Sequence, residues 1–507
     1  MTPRTLLFRA DAGVATGTGH IMRCLSLAQA WRDAGGQAVF VCAESTAAIE
    51  EGLHSESCEV VALGTVPGSP DDAEKTIALA QRHAADWVAV DGYHFKGEYQ
   101  RALKAAGLRV LFFDDYGHAD EYPADLVLNQ NLRADTSIYE KRGTRTRLLL
   151  GPRYAILRRE FAAWRKWQRK IRPVARQVLV TMGGSDPENV TSRTLEALAL
   201  LEIPDLKATV IVGGSNPNFD SIRRAAGSGG NVQVLRDVSN IAELMSGADV
   251  AISAAGSTCW ELSLLALPAL LIDVAENQTA VARELDKQGY AIHLGNSREV
   301  HAKKIADNLK QLLDSEEQRK SLSQKSRQLV DGGGAQRVLS ILKGAALRLR
   351  PARRDDSRLL WEWVNDPQVR ASAFSIAPIS WERHEIWFAS KMKDPNCSIL
   401  IAENERGVSI GQFRVDWRSS QFEDGEIDVS VAKEFRGTGF GAALIDRGAE
   451  EALLKRRSGR LHAFVKVENQ PSRAAFELAG FENLGEENLV EEESGRRAIH
   501  YVRSIKY

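Results

Sequence analysis

The sequence predicts an α/β chain: two successive doubly wound units followed by a third domain of different character. Three observations carry this. Short apolar runs alternate with helical patterns to about residue 160 and again from about 178 to 330, and such alternation implies right-handed crossovers and parallel sheets. Each half opens with a strand running into a glycine-rich turn, GVATGTGH at 13–20 and MGGSDP at 182–187. After residue 346 the character changes, and Trp361, Trp363, Trp381, Trp387 and Trp417 make up half of the chain's ten tryptophans.

The elements follow in order. Residues 6–8 read as a strand, followed by a glycine loop and a helix over 20–34 that Gly35 and Gly36 stop. Residues 38–42, 87–90, 110–113 and 126–128 read as further strands of the first lobe. A basic, aromatic helix is expected over 158–170, broken by Pro173. The second lobe has strands at 178–181, 208–212, 232–235, 250–253 and 269–272, closed by helices over 299–313 and 315–330. Asp331-Gly332-Gly333-Gly334 reads as a flexible break, and residues 347–352 as the first strand of the last domain. The expected domains are 1–160, 173–342 and 347–507, in line with three compact units at roughly 150 residues each.

Composition narrows the partners. The chain of 507 residues is 44% apolar, and 66 basic residues balance 67 acidic ones for a net charge of -1. That balance removes the electrostatic argument for a nucleic-acid binder. Five scattered cysteines without a CxxC pair argue against a zinc knuckle or a disulfide framework. The amino-terminal apolar run is too short for a signal peptide, and the stretch 262–272 is well short of the roughly 18 residues that span a bilayer. The expectation is a soluble cytoplasmic protein with no nucleic-acid or membrane partner and no metal.

Three turns are candidate anion sites, because each feeds a helix whose free N–H groups favour a phosphate. In the first, Gly13, Gly17 and Gly19 let the backbone turn tightly, and His20 stands at the helix start. There the dipole is expected to lower its pKa and keep it neutral, ready to accept a proton; the alternative is a helix-capping or partly buried structural histidine. In the second, Gly256, Ser257 and Thr258 open a helix carrying Glu261, whose two carboxylate oxygens suit a ribose; the alternative is an acid that simply favours the helix dipole. Gln278 and Asn277 start the next helix. Gly183, Gly184 and Ser185 form the third turn. All lie at carboxyl ends of expected strands, where open α/β sheets bind ligands.

The segments RADAGVATGTGHIMRCLSLA, VDGYHF, FFDDYGHADEYPADLVLNQN, GPRYAILRREF, VTMGGSDPENVT and AAGSTCWELSLLALPALLIDVAENQ resemble the UDP-sugar hydrolase family of pseudaminic acid biosynthesis. That family cleaves UDP-2,4-diacetamido-2,4,6-trideoxy-β-L-altropyranose and is similar to spore-coat polysaccharide proteins. The resemblance runs from about residue 4 to 340 and implies a GT-B fold of two Rossmann-like lobes. It implies that His20 activates water to expel UDP, that Tyr93 and Asn277 line the sugar pocket, and that Glu261 binds the uridine ribose, with no metal required. Tyr93 has a plainer alternative as half-buried packing. For the pair Asp114-Asp115, a solvated turn is the favoured reading over sugar binding.

In the last third, strand, loop and helix are expected across 425–455, with Arg436, Gly437, Thr438, Gly439, Phe440 and Gly441 between strand and helix. Successive amides at a helix start can grip a pyrophosphate. With VENQPSRAAFELAGF (467–481), the segment resembles the GNAT acetyltransferase superfamily, an α+β fold. The resemblance implies acetyl-CoA as cosubstrate, bound along Val429 and Val431, by the loop, and by Asn469 and Ser472. Amine attack needs a base; Glu426, on the strand entering the loop, is the candidate, with a surface strand acid as its alternative. Phe476 stands where many members carry the tyrosine that protonates the thiolate, which leaves the acid unassigned; Tyr501 is a remote substitute. The segment 353–388 resembles the acetyltransferase of the same pathway, which acetylates a UDP-4-amino sugar. Trp361, Trp363, Phe374 and Trp387 either stack on that substrate or, more safely, pack the core. Together the resemblances imply a bifunctional enzyme with small-molecule UDP-sugar substrates.

Overall fold

The computed structural model describes residues 4–13, 17–227, 230–236, 238–345, 347–404, 407–418, 424–456, 459–489 and 496–504. It divides into two compact units, Met1–Ala335 and Gln336–Tyr507. The fold is α/β: two parallel Rossmann-like sheets of GT-B type in the first unit and a GNAT-type α+β sheet in the second.

The first sheet contains β1 (Thr5–Ala10), β2 (Gln37–Cys42), β3 (Glu59–Ala62), β4 (Ala85–Asp91), β5 (Val110–Phe113), β6 (Leu126–Asn129) and β7 (Arg147–Leu150). Its order is β3-β2-β1-β4-β5-β6-β7, and every pairing is parallel. The central strands are largely apolar and buried because helices cover both faces. The second sheet contains β8 (Gln177–Thr181), β9 (Lys207–Val212), β10 (Val232–Arg236), β11 (Val250–Ala254), β12 (Ala269–Asp273) and β13 (Ile292–Asn296), in the order β10-β9-β8-β11-β12-β13. In each sheet the order reverses beside the first strand, between β1 and β4 and between β8 and β11. Those reversals open the crevices in which doubly wound folds bind ligands.

One expected element is absent. The basic segment after residue 158 is not an α-helix but a short 3-10 turn, Arg159–Trp164, followed by irregular chain. Arg169 explains this. Its guanidinium donates to the carbonyls of Met245 (2.7 Å), Ala248 (2.6 Å) and Leu265 (2.8 Å). Those acceptors lie at the ends of helices Ile241–Gly247 and Thr258–Leu264, whose last carbonyls lack partners within the helix. Tertiary bonding outweighs local helix propensity here.

The second unit has one sheet, with β14 (Arg348–Pro351), β15 (Cys397–Glu403), β16 (Ser409–Trp417), β17 (Asp424–Val431), β18 (Arg460–Lys466), β19 (Glu482–Leu489) and β20 (Arg496–Ser504), in the order β14-β15-β16-β17-β18-β20-β19. All pairings are antiparallel except β17 with β18. That parallel pairing holds for three residues only, Asp424↔Arg460, Gly425↔Leu461 and Glu426↔His462. Beyond Glu426 the two strands part. Leu444, Ala449 and Leu453 of helix Phe440–Arg456 pack with Phe413, Ile427 and Leu461 in the core of this unit.

Candidate active sites

The first crevice is built where β1 and β4 lie side by side. The chain leaves β1 through a loop in which Gly13 and Gly17 exchange backbone hydrogen bonds (2.8 and 3.3 Å); Val14, Ala15 and Thr16 of the glycine motif lie outside the described residues. Helix Gly19–Asp33 begins directly after it, with His20 in its first turn. Asp91 is the last residue of β4. Parallel register brings Ala10 beside Asp91, and His20 Nδ1 lies 2.6 Å from Asp91 Oδ1.

Asp91 is buried, and it also accepts from Arg23, whose Nε and Nη2 donate to its two oxygens at 2.9 and 2.7 Å, and from the Cys24 thiol at 3.8 Å. The Arg23 guanidinium and His20 hold the Asp91 carboxyl well below the usual carboxylate range, against the opposing effect of burial. An ionised Asp91 accepts the Nδ1–H of His20 and leaves Nε2 with its lone pair. This corrects the expected titration of His20. Burial does press its pKa down, but the charge and hydrogen bond of Asp91 outweigh burial, and the pKa is raised above 6.5. A carboxylate in contact exceeds a helix dipole.

Asp115 extends the site. Arg23 Nη1 donates to its Oδ1 at 2.7 Å, Tyr93 donates its hydroxyl to Oδ2 at 2.7 Å, and Asn131 donates Nδ2–H to Oδ1 at 3.2 Å. Asp114 is fully buried and accepts from Tyr122 at 2.8 Å and from the Gly117 amide at 2.5 Å. The pair is therefore an internal scaffold and not a solvated turn. Tyr93 also lies edge-on to His20, ring centroids 4.8 Å apart, and accepts Nδ2–H of Asn277 at 2.6 Å. One hydrogen bond thus joins residues of the two lobes.

Below the loop, Arg9 is fully buried and anchors the chain. It donates twice to Asp72 (2.9 and 2.7 Å) and once to Asp11 (2.7 Å). Asp11 Oδ1 also accepts the amides of Ala43 (2.7 Å) and Glu44 (3.1 Å). Arg9 holds Asp72 below its ordinary range although burial opposes this.

The second lobe brings its turns to the same region. Gly184 lies so close to the first loop that a Cβ there would come within 2.1 Å of Thr18 Oγ1. Neighbouring Gly183 has φ +81 and Ser185 is buried. Gly256, Ser257 and Thr258 follow β11 across the reversal in strand order, and a Cβ on Gly256 would face Gln278 Nε2 at 3.5 Å. Gln278 Oε1 accepts the Val274 amide at 3.0 Å and closes its loop. Glu261 is buried, and its Oε1 accepts both Nε and Nη2 of Arg158 (3.0 and 2.9 Å). Asp91, Arg23 and Arg158 are not singled out by the sequence, and Asp115 is read there within a pair whose favoured reading is a solvated turn. The available signal was an acid ending an apolar run, VAVD, which reads as a site residue only once the strand order is known.

In the second unit, Gly437 and Gly439 take φ +75 and +87, the left-handed region that a loop presenting successive amides requires. Arg436 is fixed by Asp366 (2.7 Å) and the Val431 carbonyl (2.9 Å), so it braces the loop. Thr438 donates to the Phe435 carbonyl at 2.6 Å, and Lys343 Nζ donates to the Thr438 carbonyl at 2.5 Å. Phe440 opens the helix behind the loop, and a Cβ on Gly441 would rest on Val431 and Ala475 at ordinary contact distance. Val429 and Val431, half-buried, line β17 beyond the point where the strands part. Asn469 caps helix Gln470–Leu478 by accepting the Ser472 amide at 3.2 Å. A cavity of about 620 Å³ lined by Ile376, Lys466, Val467, Glu468, Gln470 and Arg497 lies at the far end of β18.

The proposed acid and base fare differently. Phe476 is buried and stacks on Tyr501, centroids 5.6 Å apart. Tyr501 is itself fully buried and donates to Glu477 at 3.0 Å, a core position far from a departing thiolate's needs. Glu426 is exposed, and Arg418 donates to it at 2.6 Å. Trp363 and Trp387 pack against Leu360, Phe388 and Ile399, and Trp361 donates to the Ile379 carbonyl at 2.8 Å, so packing accounts for these rings.

Residues 177–338 match the glycosyltransferase family 28 C-terminal domain, and residues 346–482 match the acetyltransferase (GNAT) domain. An uncharacterized protein of Methanocaldococcus jannaschii is 22% identical over 485 residues, covering 93% of this chain and 95% of that one. The spore coat polysaccharide biosynthesis protein SpsG of Bacillus subtilis is 28% identical over 339 residues, 66% of this chain and 96% of its own. The UDP-2,4-diacetamido-2,4,6-trideoxy-beta-L-altropyranose hydrolase of Campylobacter jejuni is 27% identical over 290 residues, 57% of this chain and 98% of its own. The chain is homologous to these proteins and joins a glycosyltransferase-like module to a GNAT acetyltransferase domain.

Proposed function

We propose that this chain, in which a glycosyltransferase-like module precedes a GNAT domain, is a bifunctional enzyme of pseudaminic acid biosynthesis. The GNAT domain transfers acetyl from acetyl-CoA to the 4-amino group of a UDP-4-amino sugar. The first unit hydrolyses the product class, UDP-2,4-diacetamido-2,4,6-trideoxy-β-L-altropyranose, to UDP and free sugar. The observation that carries the hydrolytic reading is the His20–Asp91 pair in the crevice between β1 and β4, in a chain homologous to such a hydrolase.

In this reading His20 Nε2 takes a proton from water, the water oxygen attacks the anomeric carbon, and the bond to the diphosphate oxygen breaks. Asp91 orients the imidazole and stabilises its charged form. Gly17, Gly19, Gly183, Gly184, Ser185, Gly256, Ser257 and Thr258 surround the diphosphate, whose charge suits loop amides. Glu261 meets the ribose through Oε2, Oε1 being held by Arg158, while Tyr93, Asn277 and Gln278 border the sugar.

The pH dependence has a definite sign. A general base must be neutral, so UDP release should fall as pH drops through the raised His20 pKa, with its acidic limb above 6.5. In Asp91→Asn the two largest upward effects are gone while burial and the Arg23 charge still press the pKa down against Asp115 alone, and the residual limb should move to lower pH. Initial rates of UDP formation from pH 5 to 9 measure both. The same linkage means the pair stabilises the fold fully below about 6.5 and less as pH rises through the folded pKa.

The match to a glycosyltransferase family favours one rival, transfer of the sugar to a hydroxyl acceptor. UDP release with water as the only acceptor supports hydrolysis; release that requires an added acceptor supports the rival. For the second activity, Gly439→Trp adds a side chain at φ +87, with its Cβ 3.4 Å from Lys343 Nζ. We expect acetyl-CoA affinity to fall by about 100-fold, roughly 2.7 kcal/mol, with UDP release unchanged, as calorimetry and a UDP assay will read.

A further inference from the structure

Arg158 stands between two acids, Glu160 and Glu261. Its Nε and Nη2 both donate to Glu261 Oε1, at 3.0 and 2.9 Å, and its Nη1 lies 3.1 Å from Glu160 Oε1. The Arg158 side chain is 21% exposed, and those of Glu160 and Glu261 are 19% and 12% exposed. Among the described residues nothing bonds Glu261 Oε2. Glu160 stands against the Ile241 and Ala242 amides that open helix Ile241–Gly247.

The segment that carries Arg158 is pinned on both sides. Leu157 and Phe161 are buried in the same apolar core as Cys259, Trp260 and Leu262, the neighbours of Glu261 in sequence. Between them Arg159 reaches the other way. Its amide donates to Gln29 at 2.8 Å, its Nε to Asp33 at 2.9 Å and its Nη1 to Glu56 at 2.9 Å, all in the first lobe. Arg158 therefore meets Glu261 from a fixed backbone, with its guanidinium 5.5 Å from the centre of the Phe161 ring.

Resting on the reading of the first unit as a UDP-sugar site with Glu261 on the ribose, we propose that Arg158 is the positioning residue that makes this site select ribonucleotides over 2′-deoxyribonucleotides. Two N–H groups of one planar guanidinium grip Glu261 Oε1 and so hold the carboxylate in place. Its other oxygen keeps its lone pairs for hydroxyl donors. Arg158 also settles the charge. Burial and the Glu261 charge push the Glu160 carboxyl up, and Arg158 draws it down. One guanidinium between two acids keeps Glu261 ionised, and an ionised acceptor makes the stronger bond to a hydroxyl. A nucleotide that lacks the hydroxyl leaves this largely buried oxygen unsatisfied, which is what rejects it. Without Arg158, Glu261 is released to turn towards solvent or to take up a proton, and the difference between the two sugars fades.

Calorimetric titration of the full chain with UDP and with 2′-deoxyuridine diphosphate reads the preference directly. The wild-type chain should bind UDP roughly 30-fold more tightly, as expected for hydrogen bonding to a charged group. In Arg158→Met the preference should shrink to about 3-fold, because UDP affinity falls while binding of the deoxynucleotide holds and reports a folded site. Arg158→Lys keeps a positive charge between the acids, so it tests the grip even where the Met variant fails to fold; a single ammonium should leave a preference of about 10-fold or less. An unchanged preference in either variant, or an equal loss of both nucleotides, overturns the proposal and leaves UDP binding standing. A wild-type chain that binds both nucleotides equally overturns the ribose reading of Glu261 and the proposal with it, and one that binds neither overturns the UDP reading itself.

Discussion

Asp91→Asn should lower the rate of UDP release by about 10⁴-fold, the loss expected when the orienting carboxylate of a histidine base is made neutral. The substitution keeps the shape of the residue but removes the charge that fixes the Nδ1–H tautomer. An asparagine can present N–H to Nδ1, which turns the proton to Nε2 and blocks it as a base. His20→Ala should cost as much, and the double variant little more, because the two act as a unit. Acetyl transfer by the second unit should persist in all three. Steady-state assays of UDP and of coenzyme A on the same preparations separate the two activities.

Arg9→Met should destabilise the first unit by about 3 to 5 kcal/mol. Arg9 is fully buried, and its removal strands buried Asp72 without a counterion and leaves buried Asp11 with only His94, 3.2 Å away, beside it. Tyr99 donates to Asp72 at 2.9 Å and the Gly68 amide at 2.8 Å, but hydrogen bonds alone do not neutralise the charge. Urea denaturation followed by tryptophan fluorescence should show the loss as a lower midpoint. Since acid neutralises the stranded carboxylates, the deficit should shrink as pH falls towards 4. A midpoint within the error of wild type would show that the pair is dispensable for folding.

The lobes were legible because buried parallel strands are short apolar runs, and 38–42, 110–113 and 250–253 stand out as such. The glycine-rich turns were legible because glycine and hydroxyl residues follow those runs. What could not be read was lateral order. His20 and Asp91 are 71 positions apart, and only the placement of β4 against β1 makes them neighbours. The expected sign of the His20 shift failed for that reason: a helix start is visible in sequence, whereas a carboxylate delivered by another strand is not. The segment after Arg158 failed similarly, since its helical pattern is overridden by carbonyls 76 to 96 residues away. In the second unit, Glu426 is legible as an acid on the right strand, but its exposure and its pairing with Arg418 appear only in three dimensions.

The central claim, that one chain carries out two consecutive reactions on one sugar nucleotide, meets its most direct test in a single incubation. The chain is supplied with acetyl-CoA and the UDP-4-amino sugar, and products are resolved by mass spectrometry. The account predicts coenzyme A, UDP and free diacetamido sugar together, with no UDP when acetyl-CoA is withheld. Coenzyme A accompanied by acetylated UDP-sugar that is never cleaved, in the presence of water and active wild-type chain, would contradict it.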